Sequence, residues 1–500
     1  MATTTSKKVS NGGLLKVVET KVDCNYSAVE GVQIDKVLDN YATCEILQVE
    51  KINEMLDIAG RVHLTSVFVD AEKNVHSNVA MVDFAEKIQI MDADAIVVIP
   101  KVKNIKARKE TSVFVDCTIC MDLEIYGVCQ ENVNYIEPNS NNLTELTEEI
   151  CVDSLLCFNN SQIDQSETVE LDQGAEMIAV YSNLSINKVT PNGNYVTIDA
   201  EIVRDIVYSV DGVIKKVQKR SDITEEISLL NCTTETPCTV RCAINSNKFE
   251  TTVNADAKTV VNVSTTVAVA IWGYERQKID VIKDAYSVTK KLNLSTETVM
   301  CSNYKKVITA TDSLNVVKNM ASAKRIDEVL FVGSNYVRVD STAVVDGNVV
   351  ITGTITQNVI GKNYDNDDIF NTVVESEFKT TVGGVSDAEN LDYDYIVEAN
   401  CQSIKNKAGQ EIAINYNIDV QLNTKSCKTE YFVNEIEEVG DVEPSEYSIF
   451  IYKPEPNERV FDIAKRLAVT PDCVLSQNPE IVDGQPIERV VLYKKKAPQI

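Results

Sequence analysis

Side chains able to do chemistry are few in this chain of 500 residues. It holds two histidines. His63 stands among apolar residues in "RVHLTSVFV", and His76 lies in a polar turn, "EKNVHSN". An apolar setting and a polar turn fit a satisfied and a solvent-exposed structural role, so both histidines read as structural rather than catalytic. One CxxC occurs, Cys117-Thr-Ile-Cys120. Metal or dithiol chemistry needs both sulfurs on one side, but positions three apart on a strand face opposite ways. No second CxxC or nearby His completes a ligand set. The 14 cysteines are irregularly spaced, unlike a small secreted disulfide scaffold, and several fall in strand patterns as small apolar residues. The acidic run "NYDNDDIFN" (363–371) lacks the central Gly and closing Glu of a calcium loop and reads as a hairpin tip. No GxxxxGK[ST] or GxGxxG loop opens a helix, so no phosphate cradle is expected. The expectation is a non-enzyme with no catalytic residue, no metal and no cofactor.

Charge narrows the partners. A formal net charge of −27 and a pI of about 4.6 repel nucleic acid. The nearest basic run, "KVKNIKARKE" from Lys101 to Glu110, has five basic residues but no interleaved aromatics, and reads as a solvated loop. Sequons at Asn142, Asn183, Asn231, Asn262 and Asn293 are patterns only. The start, "MATTTSKKVSNGG", is polar and lacks the apolar core of a signal peptide. No run approaches the roughly 18 apolar residues of a membrane span. A cytosolic protein without a membrane span is expected.

What must position any site is β structure. Hydrophobic residues make up 44% and charged residues 25%, enough apolar material for several cores. In "SVFVDCTICMDLEIYGV", Val113, Val115, Cys117, Ile119, Met121, Leu123 and Ile125 alternate with a mostly polar set. That period of two marks a strand with one face buried. The pattern recurs in "VVNVSTTVAVAIWGY" and "EIAINYNIDVQLNT", and the first two runs end in matching "IYG" and "IWG" triplets at Gly127 and Gly273. A second landmark precedes each run: "DFAEKI" at 83–88, "DITEEI" at 222–227 and "EFKTTV" at 377–382. Both landmarks repeat at about 150 residues, a period that means beads or a stacked array of small domains rather than a solenoid. The expected fold is mainly β, with three tandem β-sandwich-like modules at 14–137, 145–286 and 290–437.

The segment 447–495 has another character. "YSIFIYK" reads as a strand, followed by a helix capped by Asn457 with Val460, Ile463, Ala464 and Leu467 at helical spacing. A second helix starts at Thr470-Pro471, and "IERVVLYK" closes a βααβ unit with Phe461, Leu475 and Leu492 in its small core.

This unit resembles a LysM domain, an α+β fold, through Tyr447 in "Y-x-I", "FDIAKRLAVTPDCVLSQNPEI" and the late "DGQPI" at 483–487. The resemblance implies a shallow groove for N-acetylglucosamine-containing glycans. Its walls would be Asn457, Glu458, Arg459 and Val460 before the first helix, and Asn478, Pro479, Glu480 and Ile481 after the second. Where that family has Gly-Asp-Thr, this chain has Asn457-Glu458-Arg459, which puts two bulky charged side chains where sugar would lie. Three β modules, a cytosolic start and a terminal LysM-like unit together resemble the SPOCS family of spore coat proteins, in its LysM-bearing, SipL-like clostridial group. That resemblance implies a scaffold in the mother cell, at the forespore surface. Its LysM-like unit would dock on the ATPase that forms the coat's basement layer, and other coat proteins would be further partners. Two alternatives stay open: a peptidoglycan-binding LysM protein and a phage-type baseplate LysM protein.

Overall fold

The period-two runs become long antiparallel strands in a computed structural model. It describes residues 4–28, 31–138, 143–319, 326–363, 365, 368–385, 390–407, 411–443, 449–482 and 485–493. The first six strands are β1 (Thr4–Ser27), β2 (Ile34–Ile52), β3 (Met55–Asp70), β4 (Val75–Gln89), β5 (Asp94–Lys109) and β6 (Phe114–Ile136). They form two three-stranded sheets, ordered β1-β6-β5 and β2-β3-β4. The polar start is itself strand, since β1 pairs with β6 from Thr4↔Ile136 to Ser27↔Phe114. The basic run, expected as loop, belongs to β5 as far as Lys109.

The same order recurs twice. Strands β7 (Thr144–Gln173), β8 (Glu176–Pro191), β9 (Tyr195–Val210), β10 (Val213–Ser228), β11 (Cys238–Val253) and β12 (Lys258–Tyr286) form sheets β7-β12-β11 and β8-β9-β10. Strands β13 (Lys290–Asn319), β14 (Glu328–Val345), β15 (Asn348–Asn363), β16 (Asp368–Val382), β17 (Leu391–Lys407) and β18 (Glu411–Asp441) form β13-β18-β17 and β14-β15-β16. The acidic run 363–371 joins β15 to β16, and its residues 364, 366 and 367 lie outside the described set.

Within each group of six, the two sheets share an apolar core. Along β6, Val115, Cys117, Ile119, Met121, Leu123 and Ile125 are at most 2% exposed and meet Leu56, Ile58, Val62 and Leu64 of β3. Val113 falls outside the strand and is exposed. The acidic-apolar landmark also acquires a physical meaning. Its Phe84 lies directly across from Gly60, and Phe378 across from Gly353. A Cβ at either glycine would overlap the facing ring, so the aromatic covers backbone that a glycine leaves bare. In the middle group, Ile223 faces Ala200 instead.

The expectation of beads or a stack does not hold, because the three groups close into a ring. Strand β4 touches β8, β10 touches β14, and β16 touches β2. In the same sense β2 packs on β11, β8 on β17, and β14 on β5. Each group therefore contacts both others through the same pair of surfaces, a head-to-tail contact whose rotation closes after three steps. Two apolar clusters lie where all three meet. One gathers Leu38, Val69, Tyr181, Val207, Phe331 and Ile360. The other gathers Val9, Val133, Val152, Val281, Val299 and Phe432, where the first and last strands of each group overrun their sandwiches and form a common stalk. Beads would leave these outward-facing apolar residues wet.

The first junction is also pinned by polar atoms. Asp39 is buried, with four donors on its carboxylate. Tyr181 Oη donates at 2.8 Å, the Ser334 N–H at 2.8 Å, Ser334 Oγ at 2.7 Å and Asn358 Nδ2 at 2.8 Å. One side chain of the first group thus holds the second and third. A Cβ at Gly333 would overlap this carboxylate, so only glycine leaves it room.

After the ring come β19 (Ile449–Tyr452), α1 (Val460–Arg466), α2 (Pro471–Gln477) and β20 (Val490–Tyr493), with β19 and β20 antiparallel.

Candidate functional site

The C-terminal unit is built around Val460, Phe461, Ile463, Ala464, Val474, Val490 and Leu492, with Leu475 half-buried at its edge. Thr470 caps α2, its Oγ1 accepting the Cys473 N–H at 3.3 Å, and Pro471 occupies the first turn, where no N–H is needed. Helix α1 starts differently from expectation. Its N-cap is Arg459, which makes no side-chain capping bond, while Asn457 sits at φ +67° in the preceding turn. Asn tolerates that left-handed conformation, and its side chain was better placed for the turn than for the cap.

The eight candidate groove residues divide into two kinds. Glu458 points inward, its side chain 8% exposed. Its carboxylate accepts Tyr452 Oη at 2.9 and 3.1 Å and the Glu455 N–H at 3.0 Å, and pairs with Arg466 at 3.3 Å. Asn478 is buried and zips α2 to β20: its Nδ2 donates to Val474 O at 2.8 Å and Val491 O at 2.9 Å, and its Oδ1 accepts the Val491 N–H at 2.8 Å. Val460 is core and Ile481 is half-buried against it. These four are framework. Asn457, Arg459, Pro479 and Glu480 remain as the exposed set. Only one of the two charges expected in the groove faces outward, because Glu458 finds three partners within its own unit. Arg459, 53% exposed, grips Asp462 through Nε at 2.8 Å and Nη2 at 3.1 Å. That guanidinium holds the Asp462 carboxyl below its ordinary range. Tyr447, Asp483, Gly484 and the outer ends of the 447–495 span lie outside the described residues.

The unit is clamped to the stalk. Tyr286, at the end of β12, is buried, donates its Oη to Val469 O at 2.7 Å and meets Phe461 edge-on at 5.2 Å. Lys465 of α1 bonds both carboxylate oxygens of Asp284, at 2.6 and 2.7 Å. Leu146 of β7 packs on the same cluster. The α1 face is thereby occupied. Phe461, an aromatic that reads as core in the sequence, is core to two elements at once.

A second concavity lies inside the ring, with a volume of about 210 Å³, between β2, β5, β6, β8, β11, β14, β17 and β18. Lys101, Glu124, Arg241, Tyr336, Glu398 and Asp419 are among its walls. Arg241 is buried, paired with Asp394 and set over the Tyr126 ring at 4.6 Å. Burial pushes the Glu398 carboxyl above its ordinary range, reinforced by Asp419 and Glu124 and opposed by Lys101. Period-two reading had put Glu124 on a wet face, and only ring closure brings it inside.

The histidines do not meet. His63 of β3 is buried with Glu45 at 3.5 Å, and burial lowers its proton affinity. His76 of β4 pairs with Asp70 at 2.9 Å. Cys117 belongs to the module core and Cys120 lies in another environment, also buried. Among the described residues no group of three or more His, Cys, Asp or Glu is placed to hold a metal ion, and no helix is long and apolar enough to cross a membrane. Compared with family models, with curated proteins and with solved structures, the chain matches none.

Proposed function

We propose that the protein is a non-enzymatic scaffold of the spore coat, built of three SPOCS-like modules and a LysM-like domain. In this reading it works in the mother cell at the forespore surface. The LysM-like domain docks on the basement-layer ATPase of the coat, with other coat proteins as further partners. The observation that carries the reading is the clamp of α1 on the stalk through Tyr286 and Asp284. A sugar-binding module on a free tether needs no such clamp. A scaffold that must present one surface at a set orientation does. The clamp leaves Asn457, Arg459, Pro479 and Glu480 outward on a rigid ring, and an exposed arginine is well suited to anchor a protein contact.

A fluorescent fusion in the native sporulating organism tests this. The expected result is a shell around the forespore that disappears when the basement-layer ATPase is removed. Uniform labelling of the cell wall, or retention of the purified protein by peptidoglycan, would replace the scaffold with a glycan binder.

A further inference from the structure

Two thiols of the middle group of strands stand close enough to react with each other. Cys157 of β7 and Cys232, in the connection between β10 and β11, stand with their sulfurs 3.2 Å apart. We propose that Cys157 and Cys232 form a reversible dithiol–disulfide couple, oxidised by a peroxide, that staples the 229–237 connection to β7.

The sequence prepares the place. Gly273, the glycine of the "IWG" triplet, pairs directly with Cys157. A Cβ there would come within 2.7 Å of the Cys157 sulfur and 3.0 Å of the Cys232 sulfur. The missing side chain is therefore the notch in which both sulfurs lie. In the first module the matching notch, at Gly127, is filled by Leu15 instead. Cys232 is also held in position by its backbone. Its carbonyl accepts the Asn194 N–H at 3.0 Å, Leu229 N–H reaches Asn194 O at 2.8 Å, and Tyr274 N–H reaches Pro237 O at 2.9 Å. The sulfurs need to close from 3.2 Å to a bond of about 2.05 Å.

The chemistry balances with hydrogen peroxide as oxidant. Cys157, the more exposed of the two, attacks one peroxide oxygen as thiolate. The S–O bond forms, the O–O bond breaks, and the departing hydroxide takes up the thiol proton as water. The Cys232 sulfur then attacks the sulfenic sulfur. The S–S bond forms, the S–O bond breaks, and a second hydroxide leaves as water with the Cys232 proton. Two electrons pass from sulfur to peroxide. Burial pushes the Cys157 thiol above its ordinary range, so little thiolate exists at neutral pH and oxidation speeds up as pH rises. The staple also reaches the ring junction. Tyr274, next to Gly273, stacks on Tyr304 of the third module at 3.5 Å, and Tyr304 Oη accepts the Gly12 N–H of the first.

The test uses the full chain, reduced, exposed to hydrogen peroxide, alkylated and mapped by peptide mass spectrometry. The expected product is a Cys157–Cys232 cross-linked peptide pair, lost after treatment with a dithiol reductant. Its rate of formation should rise about tenfold per pH unit while the thiol is mostly protonated. Cys157→Ser and Cys232→Ser should each abolish it, and the wild-type map decides alone if a variant fails to fold. The proposal is overturned if both thiols remain alkylatable, if Cys157 proceeds to sulfinic acid while Cys232 stays free, or if Cys157 pairs with a different cysteine.

Discussion

The ring junction at Asp39 and the clamp at Tyr286 both join parts of one chain, but they are built from opposite materials. At Asp39 a buried carboxylate collects four hydrogen bonds from two other modules, with no ion pair to it among the described residues and a glycine cleared to make room. At Tyr286 one aromatic side chain, the packing of Leu146 and one ion pair at the surface hold a small domain that has its own core. A buried carboxylate cannot be left without its donors, so the ring has no half-open state of comparable free energy. The clamp can open and leave both sides folded. The two junctions separate what must stay assembled from what is free to respond to a partner.

Breaking the larger junction should have the larger effect. Asp39→Ala strands four buried donors and should cost roughly 3–5 kcal/mol, read as a lower urea midpoint with hydrogen exchange accelerated in all three modules. If exchange rises in the first module alone, the ring is not a cooperative unit. Tyr286→Ala should remove about 3 kcal/mol of docking and expose amides of 449–493 while those of the ring keep their protection. Tyr286→Phe, which keeps the ring contact and loses one hydrogen bond, should cost about 1 kcal/mol by the same measurement.

Neighbouring residues sharpen the contrast further. Glu458→Gln should destabilise the C-terminal unit by about 1–2 kcal/mol in thermal unfolding, because its carboxylate is internal. Arg459→Ala should change stability by less than about 1 kcal/mol and, under the proposed function, reduce pull-down of the basement-layer ATPase. Intact pull-down would remove that loop from the interface.

The smallest effect concerns His63. Burial lowers its folded-state proton affinity below that of the unfolded chain, so the unfolded state binds more protons in acid. Its contribution is nil well above the unfolded value of about 6.5, and stability falls as pH drops from there. His63→Gln should flatten that slope in melts taken between about pH 6.5 and 5.

Much of the local structure was legible. Alternation located the long strands, and helical spacing with Thr470-Pro471 located the two helices. Ring closure was not, because a period-two pattern says which face is apolar but not what covers the other face. The polar face of β6 carries Glu124, which read as wet and lines the ring interior, and Tyr126 on the same face is buried in an apolar cluster with Trp272. One signal was present and unused. The runs "LDNY" (38–41), "YSNL" (181–184) and "GSNY" (333–336) stand at matching places in β2, β8 and β14. Their first residues are Leu38, Tyr181 and Gly333, of graded size, and the first two join one cluster while the third yields its space to Asp39. Inequality at an otherwise repeated position marks where unlike copies meet. The cap at Asn457 was misread for a different reason, since an Asn suits both an N-cap and a left-handed turn, and only the path of the chain chooses.

Each module pairs its first strand with its last, and this has a consequence for synthesis. Strand β1 cannot find its place in a sheet until β6 has been made, and Asp39 waits for Ser334 and Asn358, which lie 295 and 319 residues further on. Contacts so distant in sequence form slowly, and the ribosome delivers only about 5–20 residues per second. The nascent chain therefore carries an uncovered apolar stripe on two finished modules until the third emerges. Production of this protein should depend on chaperones in proportion to that delay, and truncation before residue 358 should yield aggregates rather than a smaller folded protein.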